Sequence, residues 1–237
     1  MAESNIQNYN HLKIHSQFSI CEGAIKIDDL KDFSKENKIR CIGLSDTSNL
    51  CGALEFAEKI SKSGTQPIIG TQINFKYAET TGLLPLYALN EEGYKRIIEL
   101  SSLSYLNNDD ISDPHLKFDE LLIKNNGVAL FSGTINGFFG ELFNKGKFSE
   151  IKELYNKLKS IYGDTFYIEI QRHNDLNEIA FEKFNLSVSL ELEIPLIATH
   201  EVFYLNKEMH EAHDALICIK NKTYINEKNR LRFSDQH

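Results

Sequence analysis

Apolar and polar positions along the chain repeat with two periods, and the switches between them mark out a succession of strands and helices. Asn10 to Gly23, NHLKIHSQFSICEG, reads as a strand and its following loop, with His11, Lys13 and His15 on one face. Ile27, Leu30 and Phe33 behind Asp28 and Asp29 predict a helix over 27–37. The run IRCIGLSD then predicts a buried strand whose end carries Asp46. Ala53, Phe56, Ala57 and Ile60 fall at i, i+3, i+4 and i+7, an amphipathic helix over 51–63 closed by Gly64. Strands follow at 67–77 and 83–90, the second placed at a sheet edge or as an irregular strand because of Pro85.

Helical spacing returns over 91–105, and the polar stretch Asn107 to His115 is the one long loop. A helix from Phe118 to Lys124 leads through Asn125, Asn126 and Gly127 into the strand Val128 to Gly133. Phe148, Ile151, Leu154, Tyr155, Leu158, Ile161 and Tyr162 form the clearest helical stripe, which Gly163 ends. A strand at 166–173, a helix at 176–192, a strand at 194–201 and a helix at 208–220 complete the series. Strand-then-helix order implies largely parallel pairing with right-handed crossovers. About seven strands suit a closed or distorted α/β barrel, with no GxGxxG or Walker loop to favour an open doubly wound sheet.

Composition narrows the class. A chain of 237 residues, 41% hydrophobic and 25% charged, can bury one full core, so a single domain over 1–237 is expected. The net charge of −8 opposes direct binding to a phosphate backbone without a local basic patch, and none stands out. Cys21, Cys41, Cys51 and Cys218 form no CxxC pair, which fits a reduced cytoplasm and buried, inert thiols. The N-terminus lacks a signal-peptide pattern and no apolar run has the length of a membrane span.

Strand after strand ends in a polar group: His15, Asp46, Gln72, His173, and the pair His200 and Glu201. In α/β barrels the C-terminal strand ends converge on one rim, where loops shape a pocket. Singly, each such residue is more often a loop cap or solvated group; together they point to a shared site. A hydrolytic metal centre there needs several His and carboxylate ligands, and the supply is thin. LSDTS around Asp46 is no nucleophile elbow, and Ser132 lacks a GxSxG frame.

The segments HLKIHSQFSICEG, IGLSDTSNLCGALEFA, QPIIGTQINF, ALNEEGYKRIIELSS, GVALFSG, FYIEIQRH and IPLIATHEVFYL occur in the order that resembles the polymerase-and-histidinol-phosphatase (PHP) domain opening the alpha subunit of bacterial DNA polymerase III. DTSNLCG, NEEGY and AHDALICI are similar to the polymerase branch rather than the free-standing phosphatases. The resemblance implies a distorted (β/α)7 barrel, the PHP fold, with metal ions at the C-terminal rim of its strands. It also implies an N-terminal fragment of a longer DNA-directed DNA polymerase, a nucleotidyltransferase, acting in DNA replication.

Departures from the family pattern define the expected site. L-H-x-H-[ST] reads Leu12, Lys13, Ile14, His15, Ser16, so Lys13 replaces the first ligand. An ammonium has no lone pair for a metal and brings a positive charge of its own. The aspartate-glycine after that strand is Glu22 and Gly23; T-D-H becomes Ser45, Asp46, Thr47; G-x-E becomes Gly70, Thr71, Gln72; and N-D-x-H becomes His200, Glu201, Val202, Phe203. Two further ligand positions fall at Leu83 and Thr134. His15, Glu22, Asp46, Glu201 and, from a segment similar to E-L-x-x-H, His173 remain as remnant metal positions, while Lys13, Thr47, Gln72, Leu83, Thr134 and Phe203 are replaced ones. His11 matches no ligand position and is read as structural.

The resemblance therefore implies a degenerate centre with no assigned catalytic residue and no expected cofactor, at most one weakly held divalent ion (Zn, Mn or Mg). The domain is expected to scaffold the polymerase core of the same chain and to dock the proofreading exonuclease subunit, meeting DNA only through the full polymerase and no membrane. The alternatives are a residual metal-dependent 3′–5′ exonuclease or phosphoesterase, and a small-molecule phosphatase. If Lys13 stands in for a lost cation, it should lie within salt-bridge reach of Asp46 or Glu201.

Overall fold

The computed structural model describes residues 9–106, 113–124, 126–173 and 176–235. Positions 107–112 of the expected polar loop, Asn125 of the turn before the 128–133 strand, and both chain ends lie outside the described residues. Nine strands and seven α-helices are described: β1 (Lys13–Ile14), α1 (Ile27–Glu36), β2 (Cys41–Thr47), α2 (Ala53–Lys62), β3 (Gln66–Tyr77), β4 (Thr80–Ala88), α3 (Glu91–Leu106), β5 (His115–Lys117), β6 (Val128–Phe131), α4 (Phe138–Asn144), α5 (Phe148–Tyr162), β7 (Phe166–Ile170), α6 (Leu176–Leu192), β8 (Leu196–Ala198), β9 (Glu201–Val202) and α7 (His210–Asn221).

The sheet runs β8-β7-β6-β4-β3-β2-β1-β9, with β5 added to β3. Its two ends, β8 and β9, are separated in sequence only by Thr199 and His200, so the sheet must curl until the ends meet. Counting β8 and β9 as one bent strand, seven strands surround a distorted barrel, as expected. Pairing is not uniformly parallel: β4 is antiparallel to both β3 and β6. The tight turn between Tyr77 and Thr80, with Ala78 at φ 49°, folds β3 directly back into β4, so this pair is antiparallel where largely parallel pairing was expected. Pro85 consequently lies in an interior strand, not an edge. It is tolerated because β6 pairs only with Leu86 to Ala88, leaving Pro85 beyond the end of that ladder.

Three further expectations are corrected. Phe118–Leu122 is a 3-10 turn, not an α-helix, and the last helix starts at His210 after a separate 3-10 turn at Lys207–Met209. Cys51 is exposed, and Cys21 and Cys41 are half-buried, leaving Cys218 as the buried thiol; all four are free.

The helices bury their apolar stripes outside the barrel. The larger cluster joins β3, β4, β6 and β7 to α3–α5 through residues such as Ile73, Leu86, Leu130, Phe139 and Tyr155, and a second packs α1 and α2 on β1 and β2 through Ile27, Leu30, Phe56 and Ile60. A third cluster, Tyr87, Ala129 and Phe131 with Ile68, Tyr167 and Ile197 against it, joins β3, β4, β6, β7 and β8. Stepping by two toward the rim, the same faces turn polar: Tyr167 to Glu169, Ile197 to Thr199, and Ile68 through Gly70 to Gln72. On antiparallel β4 the step runs backward, from Tyr87 through Pro85 to Leu83. No helix among the described residues is long and apolar enough to cross a membrane.

Candidate functional site

Lys13 stands at the centre of the rim. It is fully buried, and its Nζ lies 3.2 Å from Glu169 Oε1 and 3.5 Å from Glu201 Oε1. β1 and β9 pair with Lys13 opposite Glu201, which puts both side chains on one face. Glu169 arrives from β7, next but one once the bent strand closes the barrel. The expected contact with Glu201 is present, whereas Asp46 is not Lys13's partner. Asp46 instead accepts hydrogen bonds from Ser16 N (2.7 Å), Ser16 Oγ (2.8 Å) and Ser19 Oγ (2.8 Å), which pin the loop after β1 to the end of β2.

Electrostatics keep the lysine charged. Burial pulls its pKa down, but the Glu169 and Glu201 carboxylates outweigh that and leave it above the ordinary lysine value. Burial likewise pushes Glu201 up, yet Lys13, the His15 hydrogen bond and the Gln72 amide hold it well below the usual carboxylate range. Glu169 Oε1 also accepts from Gln171 Nε2 (2.9 Å) and from the Thr199 hydroxyl. Glu201 Oε1 accepts from Gln72 Nε2 (2.9 Å) and meets His15 Nε2 at 3.0 Å.

His15, Glu22, Thr47, Gln72, Leu83, Thr134, Glu201 and Phe203 line one cavity of about 130 Å³. Eight of the sequence-selected positions thus converge, from six strands or the loops after them. Leu83 joins them from the first half of β4 because that strand runs antiparallel. Asp46 sits behind this cavity, joined to it through Ser19, whose Oγ lies 3.2 Å from His15 Nδ1. Thr47 Oγ1 donates to Glu22 Oε2 at 2.5 Å, and Glu22 also pairs with the Lys220 ammonium of α7. Phe203 stacks on His15 with ring centroids 4.5 Å apart, and on its other contacts meets His213 (5.2 Å) and Phe233 (5.0 Å). Gly23 is required here: a Cβ would stand 2.1 Å from Ser16 O.

His173 falls outside that cavity, in an adjoining recess of about 380 Å³ shared with Glu178, Glu201 and Phe233. Its Nδ1 is 2.8 Å from Glu178 Oε1, its backbone N donates to Glu178 Oε2 (2.7 Å), and its Nε2 accepts from Glu201 N (3.3 Å). His11 and His200 line a larger groove beside β8 rather than the ligand cavity, with Tyr9 packed edge-on to His11. Among the described residues, no three His, Cys, Asp or Glu side chains are grouped as a metal ion requires. Glu169, Gln171, Thr199, Glu178, Lys220 and Phe233 were not foreseen. For Glu169 a signal existed, since it occupies the first position of the segment similar to E-L-x-x-H that ends at His173. The others carry none, because their contacts depend on loops and helices meeting at the rim.

A PHP domain model matches residues 11–173. The chain is 32% identical over 246 residues to the DNA polymerase III subunit alpha of Caulobacter vibrioides, covering 100% of this chain and 21% of that one. It is 36% identical over 222 residues to the subunit alpha of Rickettsia conorii, covering 92% and 19%. The chain therefore spans about a fifth of the length of the curated relatives it matches. Among solved structures it is similar to an amidohydrolase from Chromobacterium violaceum, with a TM-score of 0.54 at 11% identity over 83% of this chain and 88% of that one. A two-domain protein from Bacteroides vulgatus containing a PHP-like metal-dependent phosphoesterase gives 0.50 at 15% identity over 82% and 51%. At such identities the likeness is one of fold. With a seven-strand barrel whose rim gathers the motif positions, and a family match running over residues 11–173, this chain belongs to the PHP domain family.

Proposed function

We propose that the chain is the N-terminal PHP domain of a cytoplasmic DNA polymerase III alpha subunit, whose rim holds no catalytic metal and which serves as a scaffold for the polymerase core and a docking site for the proofreading exonuclease subunit. The observation that carries this reading is the Lys13 ammonium between Glu169 and Glu201, with Lys13 at the first ligand position of the family pattern. A divalent ion and an ammonium cannot share two carboxylates, and the neighbouring replacements Thr47, Gln72, Leu83 and Phe203 offer weak donors or none. The donor set does not fit a two- or three-ion hydrolytic centre. Roles left to the domain are those of shape: a closed barrel with an ion-paired core and large surfaces.

One observation favours the second reading, a residual metal-dependent 3′–5′ exonuclease or phosphoesterase: His15, Glu22 and Glu201 still face one cavity with room for a single weakly held ion. Phosphodiesterase assays with added Mn²⁺, Mg²⁺ or Zn²⁺ separate the two. The scaffold reading expects no hydrolysis above that of a Glu201→Gln control and co-elution of the native polypeptide with the exonuclease subunit. Metal-dependent cleavage lost in the control supports the enzyme instead.

A further inference from the structure

Helix α6 carries apolar side chains on both its inner and its outer face. Its inward side buries Phe181 and Val188 together with Glu178, Asn185 and Ser189, while Leu176 and Leu190 (each 83% exposed), Ile179 and Leu186 lie on the solvent side. The inward polar groups are accounted for: Glu178 holds His173, Asn185 accepts from the Tyr155 hydroxyl, and Ser189 Oγ donates to Ile194 O. Nothing comparable accounts for the outer leucines. With Lys183 between them, residues 176, 179, 183, 186 and 190 step by three and four, the spacing of a helix-packing seam. Ion pairs flank the stripe, Arg172–Glu182 on one side and Lys152–Glu191 on the other, giving an apolar centre with a polar rim. A helix apolar on both faces is ordinarily covered on both.

We infer that the outer face of α6 is covered by a helix from the part of the native polypeptide that lies beyond this sequence. The inference rests on the reading above that the chain is one domain of a longer subunit, and its curated relatives are about five times as long. Area argues for an occupant in the same chain. Seventeen residues of helix offer a strip roughly 25 Å by 10 Å, or about 250 Å². That is far below the ~800 Å² per partner of a stable interface between separate molecules. A tethered segment needs much less, because the linker supplies a high effective concentration. The stripe's only charge is Lys183, so the matching face is apolar with at most one acid.

The test uses the native full-length polypeptide. Lysine-reactive cross-linking should join Lys183 to residues beyond 237 of the same chain. Leu190→Asp should speed amide exchange in α6 about tenfold or more, since one buried leucine is worth at least that factor in an opening equilibrium. Leu54→Asp, at an exposed leucine of α2, should leave α6 unchanged. The inference is overturned if Lys183 links only to Lys183 of a second copy, or only to a separate subunit, or if Leu190→Asp is as silent as Leu54→Asp. Template-directed DNA synthesis by the same preparation tests the underlying reading separately: synthesis with a silent Leu190→Asp removes this inference and leaves that reading standing.

Discussion

Replacing Lys13 with Met removes one charge at nearly constant volume, keeping the straight stem that packs inside the barrel. Glu169 and Glu201 would then face each other without the ammonium 3.2 and 3.5 Å from them. Deleting one partner of a buried ion pair costs about 3–5 kcal/mol, mostly the penalty of the carboxylates left behind. Set against a total stability of ~5–15 kcal/mol, that is a large fraction. With a urea slope near 3 kcal/mol/M, the midpoint should fall by roughly 1–2 M. Adding Glu169→Gln to Lys13→Met should recover part of the loss, with a coupling energy of about 1–3 kcal/mol in the double-mutant cycle. The loss should also shrink on acidification, because protonating Glu201 removes one of the two facing charges. A cost below about 1 kcal/mol, or strictly additive single changes, would refute the reasoning.

Three further outcomes are expected. Phe203→Ala removes a buried ring stacked on His15 and packed on His213 and Phe233, and should cost about 3–5 kcal/mol in thermal or urea unfolding. Asp46→Asn keeps one acceptor oxygen for Ser16 N and Ser19 Oγ but puts an amide NH2 where Oδ2 accepted from the Ser16 hydroxyl and removes the charge that strengthens all three bonds, so about 1–3 kcal/mol should be lost and loop 16–23 should become more protease-sensitive. The Lys13–Glu201 pair gives stability a two-sided pH profile. Glu201 is held low, so its share is complete above the unfolded value of about 4.3 and lost as pH falls below it; Lys13 is held high, so its share is complete below about 10.4 and lost as pH rises beyond it. Urea unfolding between these limits should show a plateau, and a maximum confined to acid pH would contradict the charge states assigned.

Much of the architecture was legible because burial was legible. β2 is buried from Ile42 to Asp46, and α2 and α5 keep their apolar side chains at helical spacing, so period alone identified them. Helix α4 was not, since Gly137 and Gly140 interrupt its short apolar run. Gly140 is small for a tertiary reason: a Cβ there would stand 1.9 Å from Ile135 O. The reversal of β4 escaped as well, because its turn lacks the Asn-Gly or Asp-Gly signal that usually announces a tight hairpin. At the site, Lys13 and Glu201 were legible as motif positions and adjacent in register. The choice of Glu169 over Asp46 was not. It depends on barrel closure, which brings β7 within two strands of β1, and on Ser16 and Ser19, which already occupy the Asp46 carboxylate.

Whether the rim's positive charge is Lys13 alone is tested most directly by elemental analysis of the purified protein. Purification should follow growth with zinc, manganese and iron supplied and should avoid chelators. The account predicts metal far below one atom per chain and the same unfolding midpoint with and without EDTA. Stoichiometric zinc, manganese or iron, with a midpoint that falls when EDTA is added, would contradict it.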